Sequence, residues 1–137
     1  MASPRPARPL SPHLSIWKWG PHMLVSILHR VTGDGMALVG SLLFVWWIAA
    51  VAGGKESYGW FLKLFTLDGG PLTPLGYLFG IGLTFAFFQH MMSGIRHLML
   101  DTGAGYELRS NKLFAQATLA LSIILTMAYW AYLLAGK

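Results

Sequence analysis

The chain has 137 residues, of which 55% are hydrophobic and 11% charged, against about 25% charged in an ordinary soluble domain; a solvated globular surface is excluded and a membrane protein is indicated. Ten Lys and Arg against five Asp and Glu give a net charge of +5, but the basic residues sit in short segments between long apolar runs, which points to lipid headgroups and sidedness rather than nucleic acid. The absence of cysteine excludes disulfides, CxxCH haem attachment, CxxC zinc sites and cysteine-ligated iron-sulfur clusters, so any metal centre here must use His, Met or carboxylate.

The reading is one domain, 1–137, that begins with a segment at 1–24. This start is rich in proline, carries Arg5, Arg8 and Lys18, and lacks the apolar core of a secretory signal peptide. With little serine for an organelle transit peptide, it reads as a tail on the cytoplasmic side. The uncharged stretch GMALVGSLLFVWWIAAVAGG, Gly35 to Gly54, is long enough to span a bilayer, which takes about 20 residues in helix. Three transmembrane helices are expected, at about 25–54, 70–101 and 112–136, joined by loops at Lys55 to Asp68 and Thr102 to Lys112. These stretches lack the polar face of a soluble amphipathic helix. Trp46, Trp47, Trp130 and Tyr132 fit interfacial belts on the far side.

Sidedness follows from the cations. Arg5, Arg8, Lys18, Arg30, Arg96, Arg109 and Lys112 lie toward one face and Lys55, Lys63 and Lys137 toward the other, seven against three, which places the N-terminus on the cytoplasmic or matrix side.

Ionisable groups at membrane depth cost about 2.5 to 3.5 kcal/mol each on insertion scales, so they mark functional candidates. One cluster, Ser26, His29, Arg30 and Asp34 in SILHRVTGD, opens the first helix; the other, His90, Arg96, His97 and Asp101 in HMMSGIRHLMLD, closes the second. Both lie toward the same membrane face. His90 precedes Asp101 by eleven residues, about 16 Å deeper along the helix. Its imidazole is either an axial ligand to haem or a hydrogen-bonding group between helices. Gly94, one turn on, would let a flat macrocycle approach. Arg30 and Arg96 with His29 and His97 suit haem propionates or a quinone carbonyl; the alternative is Arg30 paired with Asp34, His97 with Asp101, and arginines reaching headgroups. Arg96, beside the basic second loop, fits the headgroup role best. Ser26 is either a donor to a quinone oxygen or a helix cap, and the methionines read as packing.

Three motifs, RPLSPHLSIW from Arg8 to Trp17, SILHRVTG from Ser26 to Gly33 and HMMSGIRHLMLD from His90 to Asp101, together with the three-helix plan, give a chain that closely resembles the cytochrome b membrane-anchor subunit of succinate dehydrogenase, respiratory complex II. The resemblance covers nearly the whole chain; Trp17 stands where many family members have Tyr. It implies an all-α membrane protein forming half of a helical bundle that a companion membrane subunit completes. It implies haem b with His90 as one axial ligand and the second from that companion. It further implies His29, Arg30 and His97 near the haem propionates, and Ser26 and Arg30 at a ubiquinone site. The implied partners are an iron-sulfur subunit, an FAD-containing flavoprotein, a second small membrane subunit and the lipid bilayer. Electrons from succinate would pass through iron-sulfur clusters to ubiquinone. The resemblance favours the bacterial cytoplasmic membrane over the mitochondrial inner membrane. A haemless structural anchor and the equivalent subunit of a fumarate reductase are the alternatives; a channel is disfavoured, because His90 is the one deep titratable residue.

Overall fold

A computed structural model describes residues 11, 13–68 and 70–136. Arg5, Arg8, Lys137 and the first part of RPLSPHLSIW lie outside the described residues.

Helix α1 (Pro21–Gly35) starts after an extended Gly20, with proline at the first helical turn, where its missing N–H removes no helix bond. The start is therefore Pro21, not residue 25. Ser26 lies in the second turn, so the capping alternative fails, and Gly20 occupies the N-cap. One π-helical turn, Met36–Gly40, leads into α2 (Ser41–Ala52). Together they make a rod of 32 residues, about 48 Å long against a hydrocarbon core of about 30 Å. The first turns of α1 thus have length to reach the membrane boundary.

Gly54, at φ 86°, takes the left-handed conformation that glycine adopts without steric cost and turns the chain into α3 (Gly54–Phe65). The segment expected as a loop, Lys55 to Asp68, is helical over most of its length. Its aromatic spacing explains why: Phe61 and Phe65, one turn apart, pack on Trp46 of α2 with ring centroids 5.0 and 6.0 Å away. Trp60 and Lys63 stay exposed, with Lys63 Nζ 4.9 Å from the Trp60 ring centre. An amphipathic helix of this kind suits a membrane interface.

Helix α4 (Pro74–Asp101) is capped by Thr73, whose hydroxyl accepts from the Gly76 N–H at 3.0 Å and donates to the Leu64 carbonyl at 2.7 Å. After a turn at 102–107, α5 (Leu108–Ala135) runs back across. The central element is α4, packed against α1, α3 and α5. Phe79 of α4 meets Phe65 at 6.1 Å, and Trp130 of α5 lies over Gly80, so it packs inside the bundle as well as serving any interfacial belt. The fold is all-α with three helices long and apolar enough to cross a membrane, Pro21–Ala52, Pro74–Asp101 and Leu108–Ala135.

The polarity of the interior is inverted relative to a soluble protein. Gln89, Ser93 and Arg96 of α4 and Thr118, Ser122 and Thr126 of α5 are buried, whereas Leu42, Phe44, Leu78 and Ile124 are exposed. Lipid tails solvate leucine as well as another helix does, so small and polar contacts hold membrane helices together. Ser122 Oγ donates to Gln89 Oε1 at 2.5 Å, and Thr118 and Thr126 satisfy their hydroxyls on carbonyls one turn earlier, at 2.8 and 2.7 Å. This seam fixes α5 on α4, and hence the end of α4 where the polar clusters converge.

Candidate functional site

The two clusters meet where α1 crosses the C-terminal half of α4. His90 Nδ1 lies 2.9 Å from the backbone oxygen of His29. A carbonyl only accepts, so Nδ1 carries the proton, and a neutral ring then keeps its lone pair on Nε2. Helix α1 tolerates this approach because residue 33 is glycine: a Cβ there would stand 2.7 Å from His90 Cε1 and 3.1 Å from Nδ1. The His90 ring stacks on His29, centroids 4.0 Å apart and planes within 7°. His97, two turns along α4, meets the same His29 ring at 4.9 Å. The Thr32 hydroxyl shares its hydrogen between the carbonyls of Leu28 at 2.6 Å and His29 at 3.2 Å, and so steadies the backbone that holds His90.

His29 Nδ1 is buried without a hydrogen-bond partner, an unmet polar atom beside the ring whose Nε2 is free. At Gly94 the one neighbour among the described residues is His29 Cε1, 3.9 Å from the place a Cβ would take, an ordinary contact that leaves this face of α4 without a side chain of its own. Among the described residues, no three His, Asp or Glu side chains converge on a metal ion. The histidines are arranged as a stack, each able to offer a single nitrogen, and not as a chelate.

Beside the stack a cleft of about 400 Å³ opens between the start of α1 and the end of α4. Its walls include Trp19, His22, Ser26, Arg96, His97 and Leu100. Ser26 and His97, singled out from sequence, are thus brought together across the two helices. Arg30 is exposed, one turn beyond Ser26, and stands outside the walls.

Arg96 departs from its expected headgroup role. Only 7% exposed, it forms part of the cleft wall and donates from Nη2 to Asn111 Oδ1 of α5, while its Nε is buried with no partner. Sequence reasoning also passed over Asn111, Gln89, Ser93 and Ser122. The available signal was the run of polar residues three and four apart, at 89, 93 and 96, inside an apolar span.

Residues 4–129 match the family described as succinate dehydrogenase/fumarate reductase transmembrane subunit. The chain is 29% identical over 123 residues to a succinate dehydrogenase cytochrome b556 subunit of Paracoccus denitrificans, covering 88% of this chain and 87% of that one. It is 32% identical to the corresponding b556 subunit of Rickettsia felis, over 90% of each chain. It is also 39% identical over 118 residues to the mitochondrial cytochrome b560 subunit of Mus musculus, covering 85% of this chain and 66% of the mouse protein. The chain belongs to the succinate dehydrogenase/fumarate reductase transmembrane subunit family.

Proposed function

We propose that this member of the family is the cytochrome b membrane-anchor subunit of a succinate dehydrogenase, holding haem b through His90 and forming part of a ubiquinone-reduction site. The observation that carries the reading is the His90 Nδ1 contact to the His29 carbonyl at 2.9 Å, because a backbone hydrogen bond on one ring nitrogen is the usual way to orient a metal-binding histidine through the other. The residues present fit the group. His90 offers Nε2, the buried and unpartnered His29 Nδ1 suits a propionate oxygen, and Arg30, beside His29 in sequence, and His97, whose ring meets His29, would help to hold the propionates. Haem bound there supplies a one-electron centre within the membrane. The family resemblance implies that a further iron ligand would come from a companion membrane subunit, which would also cover the apolar flank and complete the helical bundle.

The cleft suits a quinone headgroup. Ser26 donates to one carbonyl oxygen, Arg30, exposed one turn beyond Ser26 and outside the walls, favours negative charge on the reduced ring through its field, and the position at the end of α4 lets protons arrive from water. Electrons arrive singly from an iron-sulfur subunit, supplied in turn by an FAD-containing flavoprotein that oxidises succinate. This chain performs no succinate chemistry. The cation count of seven against three supports an N-terminus and second loop on the cytoplasmic face, which we assign to a bacterial inner membrane and to the side where those soluble subunits would dock.

The test is a reduced-minus-oxidised visible spectrum of the complete membrane complex, wild type beside His90→Ala. A b-type band lost in the variant with the complex still assembled is expected. A band that survives His90→Ala would remove the ligand assignment, and its absence from the wild type would leave a haemless anchor.

A further inference from the structure

We propose that Arg96, steered by Asn111, is the buried cation of the cleft and the residue that meets the ligand's oxygen from the α4 wall, opposite Ser26. This rests on the quinone reading of the cleft and adds to it a second, better-fixed guanidinium than the exposed Arg30.

Arginine carries five N–H donors and stays charged at any physiological pH. Taking that charge out of water is costly unless oxygen acceptors replace the lost hydration. At 7% exposure Arg96 has left water, yet one donor, Nη2, is used by the neutral amide oxygen of Asn111, and Nε is buried without a partner. A fold does not retain a half-satisfied guanidinium for packing alone, since a methionine would fill the volume without the desolvation cost. The cleft gives it a purpose. Arg96 lies in the same wall as His97 and Leu100, facing Ser26 and His22 across the opening, and a planar oxygen acceptor seated there completes its hydrogen bonding.

Asn111 is a positioning residue. It sits in the first turn of α5, fifteen positions from Arg96 in sequence. By accepting from Nη2 it fixes the plane of the guanidinium fork without cancelling its charge, which an aspartate there would do. Two kinds of oxygen would satisfy the fork, a quinone carbonyl or a haem propionate, and we assign the first because Arg96 shares the cleft walls with Ser26, whereas His90 is not among the residues that line it.

The experiment uses the intact complex in nanodiscs. Equilibrium binding of a short-chain ubiquinone and the KM and kcat for its reduction by succinate are measured, with the haem spectrum recorded for every variant. Arg96→Gln should weaken ubiquinone binding at least tenfold and Arg96→Lys by less, since lysine keeps charge without the fork. Asn111→Ala should raise KM about three- to tenfold with kcat little changed, and Asn111→Gln should recover part of that loss. Arg109→Gln, an exposed cation in the same first turn of α5 as Asn111, should match wild type. Ser26→Ala separates the two readings. If it weakens ubiquinone binding while Arg96→Lys and Asn111→Ala do not, the Arg96 proposal is overturned and the quinone cleft survives. If none of the three moves binding, the cleft reading fails and the proposal with it. A displaced haem band with unchanged ubiquinone affinity would reassign Arg96 to a propionate and also overturn it. Should Arg96→Gln fail to assemble, Arg96→Lys and Asn111→Ala decide.

Discussion

Replacing Gly33 with alanine tests the geometry on which the proposed ligand role of His90 rests, without touching His90 itself. The added methyl would lie 2.7 Å from His90 Cε1, where carbon atoms ordinarily rest at about 3.5 to 4.0 Å. The ring must retreat by about 1 Å, and it cannot do so freely, being stacked on His29 at 4.0 Å and tied to its carbonyl at 2.9 Å. A retreat of that size breaks the hydrogen bond, a loss of about 0.5 to 1.5 kcal/mol, and crowds a packed helix crossing at a cost of about 1 to 3 kcal/mol. Losing the group that orients a metal-binding histidine lowers metal affinity about 10- to 100-fold. Gly33→Ala should therefore leave the complex assembled with its haem-to-flavin ratio sharply reduced after dilution or mild dialysis. The control lies two residues away: a Cβ on Gly35 meets nothing within 4 Å, so Gly35→Ala should retain wild-type haem. The reasoning is refuted if Gly33→Ala keeps full haem with an unmoved band, or if both variants lose it equally.

Two further substitutions test how α4 is held. Ser122→Ala strips the donor from Gln89 Oε1 when Gln89 Nε2 is already without a partner; we expect a loss near the top of the range for membrane hydrogen bonds, about 1.7 kcal/mol, read as earlier unfolding in a detergent titration. Adding Gln89→Leu should cost less than the sum of the single changes, because removing both partners leaves no stranded amide. Thr73→Ala removes both the α4 cap and the tie to Leu64; a destabilisation of about 1 to 2 kcal/mol should appear as a lower thermal midpoint, with Thr73→Ser restoring it.

The three membrane helices were legible because spanning length and apolar composition are imposed by the bilayer itself, whatever the partners. Helix α3 was not, since its stability depends on Trp46 and Phe79, which no local pattern in GKESYGWFLKLF reveals. Likewise Gly94 was legible as an absence of side chain but not as a neighbour of the His29 ring, whose Cε1 lies 3.9 Å from where a Cβ would stand. Ser26 failed as a cap because Pro21 begins the helix earlier than its apolar stretch suggests.

Arg96 shows the same limit most sharply. Spacing reveals that His90 and His97 share a face of α4, but the neighbouring stripe at Gln89, Ser93, Arg96 and Leu100 acquires its meaning only when α5 covers it and Asn111 arrives from the next helix. The two stripes divide the labour of one helix. The histidine stripe leans on α1 through the His29 carbonyl and Gly33, and the polar stripe leans on α5 through Ser122 and Asn111. A disturbance of the α4–α5 seam therefore reaches the cleft through Arg96 before it reaches the histidine stack, whereas a disturbance of the α1–α4 crossing reaches both, because α1 supplies His22 and Ser26 to the cleft and the His29 carbonyl to the stack. Helix α4 is thus braced on two sides, and only the α5 brace acts on one of its two clusters alone.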